Sequence, residues 1–440
     1  MKRHLRTSSV HPSLSLVSRR EFLALAGIGA ASYLAATRSG SSQGTKRPRL
    51  TVLAPLPPNP APPGVVAYIE DGLPLWEEQH KVDVFYDATA VENMKAKILI
   101  NIRQGYYVHD LMYCGGWAPE ITSRLLAVDP LLGPQTRNDL PPSALTSFQW
   151  ENKLYGVPAV SNPMILFGNE NLLGSSAAPQ TWDDLLAIAR AGKSVTTAGW
   201  VLPAGQSGGS GGLMASWQVF FLQAGGRLFD ARGKPAIAND AGVAAIDMLQ
   251  QLLPYTLGDP FAIKSLQDAT VAFLQGKTAL MMNWATMHTA MVDPQIALIP
   301  FPIRTDPLPA GPVGRASIDS GDGWTIDNRS WQPGRAMDLI QFLLQPQIQV
   351  QMYLATGWLP ISKAALADPE LRKVAPHAGT VAEQMRFRID SGLRPNTDVV
   401  AQVIGGAVQR ALLGQEKPLA ALRAATTLLT SAGTEGKIFA

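Results

Sequence analysis

The alternation of short apolar runs with amphipathic segments is the feature that most constrains this fold. Three runs are short and rich in apolar or β-branched residues, as buried strands are: 50–53, 82–86 and 110–113. Between the second and third runs, residues 90–103 place Met94, Ile98 and Ile102 along one stripe of a helix. Strands that alternate with helices predict βαβ units and a mainly parallel sheet, and therefore an α/β fold.

The ends of the predicted strands locate candidate ligand loops. In parallel α/β sheets, ligands bind beyond the carboxyl ends of the strands. The loops that follow Asp87 and Tyr113 are therefore candidate ligand loops. With 440 residues, of which 46% are apolar, the chain is long enough for two or three domains with buried cores.

Most of the basic charge lies at the N-terminus. Residues 1–50 hold nine Lys and Arg residues against one acid, Glu21, so residues 51–440 are net acidic. An acidic remainder argues against a nucleic-acid partner. The single cysteine, Cys114, excludes an intrachain disulfide and a thiolate metal cluster.

The basic N-terminus has the layout of an export signal. Arg19 and Arg20 precede an apolar run of 15 residues, 22–36, which is short for a transmembrane span of about 20. The arginine pair and the nearby Phe-Leu resemble the twin-arginine signal of prokaryotic export. We predict that residues 1–40 are this signal and 41–49 a linker, and that the protein is periplasmic or otherwise extracytoplasmic. If the signal is not cleaved, it is the one segment expected to contact the membrane.

The histidines do not have the spacing of a metal site. They are scattered along the chain and include no His-x-x-x-His pair: His4, His11, His80, His109, His288 and His377. We therefore predict no metal ion and no other cofactor.

Two patterns leave catalysis open as an alternative. Ser207 lies in a G-x-S-x-G sequence, residues 205–209, with a later histidine as a candidate base. The glycines continue to Gly212, which favours a flexible loop over the sharp strand-to-helix turn that a serine nucleophile needs. Asp319 and Asp322 share one loop, whereas glycosidase carboxylates usually come from separate elements. A secreted serine esterase or glycosidase therefore remains the alternative function.

The tryptophans are the most informative residues of the chain. Five of the ten lie in loops or at strand ends, and all of these except Trp284 follow a glycine: Trp117, Trp200, Trp284, Trp324 and Trp358. Aromatic faces suit the C–H faces of sugar rings, while Asp and Asn side chains can bind hydroxyl pairs. Packing between lobes is the other interpretation of each tryptophan. We expect at least two of the five to line a ligand.

Several short motifs occur in an order shared with a known family. In chain order they are Trp117-Ala-Pro-Glu-Ile, Leu126-Ala-Val-Asp-Pro-Leu, Tyr155-Gly-Val-Pro, Leu166-Phe-Gly-Asn-Glu-Asn-Leu, Pro179-Gln-Thr-Trp-Asp-Asp-Leu, Ala224-Gly-Gly-Arg-Leu-Phe-Asp, Gly276-Lys-Thr-Ala-Leu-Met-Met, Gly323-Trp, Gly357-Trp-Leu-Pro and Arg394-Pro. Their order and spacing resemble the extracellular solute-binding proteins of ABC importers, in particular the sugar-binding family of maltose- and trehalose-binding proteins.

This resemblance implies a two-lobed periplasmic-binding-protein fold. Each lobe would be a mainly parallel sheet flanked by helices, with the ligand cleft at the hinge between the lobes. The implied boundaries are 50–162 and 313–360 for lobe 1, and 163–312 and 361–440 for lobe 2.

The resemblance also implies a function. The protein would capture a small carbohydrate, a mono- or oligosaccharide, by hinge closure, and deliver it to the transmembrane subunits of an ABC permease. It would act as a monomer and catalyse no reaction. A non-sugar solute such as a polyol or a glycerophosphodiester is the alternative ligand.

The predicted ligand-binding residues combine the loop tryptophans with positions carried over from the family. They are Asp110, Trp117, Asn162, Trp200, Trp284, Asp322, Trp324, Trp358 and Arg394. Asn162 stands where sugar binders of the family often have an Asp.

Overall fold

The part of the chain that the structure describes forms two mixed β-sheets of five and four strands, two small two-stranded sheets, and the helices around them. This computed structural model describes residues 47–55, 73–74, 76–150, 152–194, 196–205, 212–230, 232–256, 258–292, 301–389 and 397–434. The predicted export signal, Ser207 and Arg394 lie outside these residues.

The elements of the described residues are named in chain order. The strands are β1 Arg49–Pro55, β2 Asp83–Thr89, β3 Leu111–Cys114, β4 Gln149–Trp150, β5 Lys153–Leu154, β6 Val157–Pro158, β7 Met164–Asn169, β8 Ala198–Val201, β9 Thr278–Trp284, β10 Ile303–Asp306, β11 Ala316–Ser317, β12 Gly323–Ile326 and β13 Arg388–Ile389. The α-helices are α1 Val91–Arg103, α2 Pro134–Asp139, α3 Pro142–Leu145, α4 Glu170–Leu173, α5 Trp182–Ala191, α6 Leu213–Gln223, α7 Asp240–Leu252, α8 Leu266–Ala272, α9 Met287–Val292, α10 Pro333–Leu343, α11 Pro346–Thr356, α12 Lys363–Leu366, α13 Pro369–Val374, α14 Ala378–Gln384, α15 Thr397–Leu412 and α16 Pro418–Thr434. Short 3-10 turns occupy Ala118–Arg124, Thr146–Phe148, Leu253–Tyr255 and Pro260–Ala262, and a π turn occupies Phe273–Lys277.

The first sheet has the strand order β2-β1-β3-β12-β6. β1 pairs in parallel with both β2 and β3, as the alternation of strands and helices predicts. β2 continues to Thr89, so Asp87 lies within the strand rather than before a loop. The Asp87 carboxylate accepts hydrogen bonds from Lys97 and His109 at 2.6 and 2.8 Å. It therefore has a structural role next to the first sheet.

The second sheet has the strand order β10-β7-β9-β8, and only its β8–β9 pair is parallel. The expectation of mainly parallel sheets is therefore too strong. β7 and β12 enter their sheets from the segments that connect the two halves, and they run against their neighbours.

Strand β7 is buried on both faces. Met164 and Leu166 pack into one hydrophobic core, while Ile165 and Phe167 pack into the other. This alternation follows from the two-residue repeat of a strand. It explains why Met164–Phe167 are all apolar, as residues of strands covered on both faces are.

Three chain segments lie side by side between the two sheets, and we call them the crossing segments: 159–163, 318–322 and 357–361. The amide of Ala159 donates to Asp322 O, and that of Ser161 donates to Leu359 O, both at 3.0 Å. The amide of Met164 donates to Ile318 O at 3.0 Å. These bonds place the first crossing segment between the other two. The exact lobe boundaries stay a prediction.

Among the described residues, no helix has both the length and the apolar character needed to span a bilayer.

The close packing of β8 against α5 gives a stability prediction. A Cβ atom on Gly199 would lie 1.6 Å from Ala189 O, so Gly199→Ala must push the strand and the helix apart. We expect it to lower the free energy of unfolding by about 2–3 kcal/mol. The matched control is Gly405→Ala in α15, where the nearest atom would be 3.8 Å away. That variant should gain about 0.5–1 kcal/mol from its lower backbone entropy. Urea unfolding followed by circular dichroism measures both, and an unchanged midpoint for Gly199→Ala would contradict the packing described.

Candidate functional site

A cavity of about 150 Å³ lies where the crossing segments meet the carboxyl end of β3. Six residues line it: Tyr113, Val160, Asn162, Thr286, Asp322 and Trp358. Tyr113 comes from the first sheet, and Thr286 follows β9 of the second sheet. The other four come from the crossing segments. The cavity is therefore built from both sheets and from the segments that join them.

The side-chain amide of Asn162 has a fixed orientation. Its Oδ1 accepts a hydrogen bond from the backbone amide of Thr286 at 3.1 Å. Because a backbone amide can only donate, the atom facing it must be the oxygen. Nδ2 then remains without a hydrogen-bond partner among the described residues, although Asn162 is only 9% exposed. It is available to donate to a ligand in the cavity.

Asp322 presents a carboxylate to the same cavity. Its Oδ2 accepts a hydrogen bond from Ser320 Oγ. A Cβ atom on Gly115 would lie 3.1 Å from Asp322 Oδ1 and 3.3 Å from Trp117 Nε1. The absence of a side chain at Gly115 thus leaves room for Trp117 beside the carboxylate. Burial raises the pKa of Asp322 above its usual value, and the Ser320 hydroxyl opposes part of that rise.

Asp319 connects the crossing segments rather than facing a ligand. Its Oδ2 accepts from the amide of Asn162 at 3.0 Å, and its Oδ1 accepts from the amide of Gly321 at 2.9 Å. Burial raises the pKa of Asp319 to about 7, the two amides counteract it, and the nearby charge of Asp322 adds to the rise.

Two aromatic side chains contribute to the cavity wall. The ring of Trp358 stacks near the ring of Tyr113, with centroids 6.1 Å apart and planes at 24°. Trp358 follows Gly357, which has a φ of 72° and whose carbonyl accepts from Thr289 Oγ1 at 3.1 Å. The turn that presents Trp358 is thereby fixed to helix α9.

Trp324 packs against Tyr113, one of the two aromatic residues of this wall. It pairs with Tyr113 across β12 and β3, and its ring meets that of Tyr113 edge-on at 5.1 Å. Only 8% of Trp324 is exposed, so it packs mainly in the first core. The prediction that Trp324 itself stacks on a ligand is not supported by this position.

The structure brings several predicted residues together. Asn162, Asp322 and Trp358 line the cavity, and Trp117 borders Asp322. Trp284 is half-buried at the end of β9, two residues before Thr286.

Sequence reasoning missed Tyr113, Val160 and Thr286 as lining residues. Tyr113 had a usable signal, because it stands near the carboxyl end of β3, where ligand loops begin.

Two predicted ligand residues lie elsewhere. Asp110 precedes β3 at its amino end, about 10 Å along the chain from Tyr113. Its Oδ2 accepts from the amide and hydroxyl of Thr51 at 2.8 and 2.9 Å, and its Oδ1 accepts from Ser330 Oγ at 2.7 Å. Both carboxylate oxygens therefore accept hydrogen bonds from residues around the first sheet. Trp200 in β8 is 1% exposed and belongs to the second core.

The candidate bases for a serine nucleophile are buried against each other. The rings of His288 and His377 stack with centroids 4.0 Å apart. Burial lowers the pKa of His288 to about 4 and that of His377 to about 2, the latter with a further decrease from the nearby His288. Within the described ranges, no group of three His, Cys, Asp or Glu side chains could hold a metal ion.

Comparisons with known proteins agree with this architecture. The model of the family described as "bacterial extracellular solute-binding protein" matches residues 76–379. A probable amino-acid ABC transporter periplasmic-binding protein of Sinorhizobium fredii is 27% identical over 254 residues, 56% of each chain. A maltooligosaccharide ABC transporter solute-binding lipoprotein of Streptococcus pneumoniae is 25% identical over 233 residues, 50% of this chain and 51% of the relative. The chain therefore spans about half the length of the curated relatives it matches.

A solved structure extends the comparison over most of the chain. The cyclic α-maltosyl-1,6-maltose binding protein of Arthrobacter globiformis superposes with a TM-score of 0.74 at 19% identity. The match covers 87% of this chain and 98% of that one. This likeness confirms the predicted two-lobed α/β fold.

The raised pKa of Asp319 predicts a pH dependence of stability. Between about pH 4 and pH 7 the folded chain keeps a proton on Asp319 that the unfolded chain releases. The contribution of Asp319 to stability therefore falls as the pH rises through this range. Asp319→Asn removes the titration, so its unfolding free energy relative to the wild type should increase from about pH 4 to pH 7.

Asp184→Asn is the control for this experiment. Asp184 lies in the first turn of α5 and forms a capping box with Thr181, and hydrogen bonds lower its pKa below 3.8, chiefly the one from the Gln180 amide. The contribution of Asp184 to stability is constant above that pH. A plot of the unfolding free energy of Asp184→Asn against pH should therefore run parallel to that of the wild type between about pH 4 and 7. Parallel curves for Asp319→Asn as well would show that Asp319 does not titrate there.

Proposed function

Because this chain belongs to the bacterial extracellular solute-binding protein family, we propose that it captures a small carbohydrate outside the cytoplasm and delivers it to the permease of an ABC importer. The main support is the cavity between the two sheets. There Tyr113 and Trp358 provide aromatic surface, the Nδ2 of Asn162 provides a free donor, and Asp322 provides an acceptor.

This combination suits a sugar. Aromatic rings remove the C–H faces of a sugar from water, and a donor beside an acceptor can satisfy neighbouring hydroxyls. A volume of about 150 Å³ is small beside the roughly 300–1,000 Å³ of pockets for drug-sized ligands. The enclosed part of the ligand is therefore one sugar unit. The maltooligosaccharide and cyclic maltosyl-maltose binders named above support the same ligand class.

Capture would proceed by hinge motion of the crossing segments. The proposed lobes are 50–162 with 313–360, and 163–312 with 361–440. In this proposal Trp117 approaches the ligand from the first lobe and Trp284 from the second as the lobes close. The closed surface is then what the permease subunits recognise. The protein acts as a monomer, and the ligand leaves unchanged.

Binding fits the cavity better than hydrolysis does. A glycosidase needs two carboxyl groups on either side of the scissile bond. Here both oxygens of Asp319 accept backbone hydrogen bonds, which leaves Asp322 as the carboxylate that lines the cavity. The lowered pKa values of His288 and His377 make both histidines weak general bases near neutral pH.

We expect Trp358→Ala to weaken binding of the cognate sugar by about tenfold or more, because it removes an aromatic face from the cavity wall. The ligand is found by screening mono- and oligosaccharides against the purified chain with tryptophan fluorescence, and affinities are then measured by calorimetry. Trp331→Ala is the matched control, because Trp331 is 72% exposed and should leave affinity unchanged. If both variants bind as tightly as the wild type, Trp358 is not part of the site. If no sugar binds the wild type, the carbohydrate function is wrong.

Export through the twin-arginine pathway gives a separate prediction. Changing Arg19→Lys together with Arg20→Lys keeps the charge and removes the arginine pair. Fractionation of a bacterial host should find the wild-type chain outside the cytoplasm and the variant inside it. Efficient export of the double variant would exclude this route.

A further inference from the structure

We propose that the bound sugar carries a protonated amine and that Asp322 selects for it, so that the preferred ligand is an amino sugar. This inference rests on the proposed carbohydrate function and narrows its ligand class. It depends on the charge balance of the cavity, on its aromatic wall and on the free donor of Asn162.

Asp322 gives the cavity a carboxylate, and the described residues place no opposite charge beside it. Among the described residues, no Lys, Arg or His lies within ion-pair distance of Asp319 or Asp322. The lining residues include no cation. A buried carboxylate without a counter-charge is unfavourable, and a ligand that brings a positive charge offsets that cost. Ligands with carboxylate or phosphate groups would instead add repulsion.

The aromatic side chains favour the same kind of ligand. Trp117 lies close to the Asp322 carboxylate, and Tyr113 lines the same cavity as Asp322. Trp358 stacks with Tyr113. Aromatic rings attract a cation within about 6 Å of the ring centre, and the attraction strengthens as the cation is desolvated. An ammonium group bound at Oδ1 of Asp322 would therefore find both a carboxylate and aromatic surface.

The Asn162 amide requires that the ligand also carry an oxygen acceptor. Because Thr286 fixes the amide, the free Nδ2 can only donate, and the side chain is nine-tenths buried. A simple alkylamine leaves this donor unsatisfied, whereas a sugar hydroxyl accepts from it. An ammonium group and a hydroxyl on one small ring meet both requirements.

Matched sets of sugars test the inference. Each set holds an amino sugar, its N-acetyl derivative and the parent sugar, in the gluco, galacto and manno series and as β-1,4-linked disaccharides. Tryptophan fluorescence and calorimetry of the purified full chain at about pH 6, where the sugar amine is protonated, give the affinities. We expect the amino sugar of the recognised series to bind about tenfold or more tighter than its parent.

Two variants assign the preference to Asp322. Asp322→Asn keeps the shape of the side chain and removes the charge, so the amino sugar and its parent should then bind within about twofold of each other. Asp247→Asn, an exposed site on α7, makes the same charge change away from the cavity and should keep the full preference.

The outcomes separate this inference from the function it rests on. Equal or tighter binding of the parent sugars overturns the amino-sugar inference and leaves carbohydrate capture in place. An amine preference that survives in Asp322→Asn overturns the role given to Asp322. Binding of no member of any set overturns the carbohydrate function itself.

Discussion

The carboxylate of Asp319 fixes the geometry on which the site depends. It accepts one backbone hydrogen bond from Asn162 and one from Gly321, and so joins the first and second crossing segments. The position of Asn162 in turn determines where its side chain meets Thr286 at the end of β9. A single buried acid thus aligns one crossing segment with another and with the second sheet. A residue at 319 without hydrogen-bond acceptors would leave the backbone donors of Asn162 and Gly321 unpaired between the sheets.

Much of the fold was predictable because it follows from local patterns of apolar and polar residues. The β1, β2 and β3 runs alternate with helical segments, and the sheet they predict is present. The antiparallel strands were not predictable in this way, because the direction of β7 and β12 depends on how the chain crosses between the sheets. Asp110 shows the same limit. It was predicted as a ligand residue by analogy with the family, but Thr51 and Ser330, from distant parts of the chain, donate hydrogen bonds to its carboxylate.

The site was partly predictable for a related reason. Trp358 stands in a short motif, and Asn162 and Asp322 lie close to two others, so the order of residues along the chain was enough to select these three lining residues. Whether a tryptophan lines a cavity or fills a core depends on its surroundings. Trp200 and Trp324 both stand beside glycine or at a strand end in the sequence, as Trp358 does, yet neighbouring strands and helices cover them. Tyr113 reaches the cavity because Trp324 packs edge-on against it.

The position of β12 has a consequence for how the chain comes to be folded. β12 lies between β3 and β6 in the first sheet, but it follows the whole second sheet in the sequence. β3 and β6 are synthesised before β12. Their facing edges therefore have no partner strand until Gly323–Ile326 has been made. Such long-range pairing slows folding and makes the N-terminal half prone to aggregate before the chain is complete. The export route proposed above accepts folded chains, so it would let this pairing finish before the membrane is crossed.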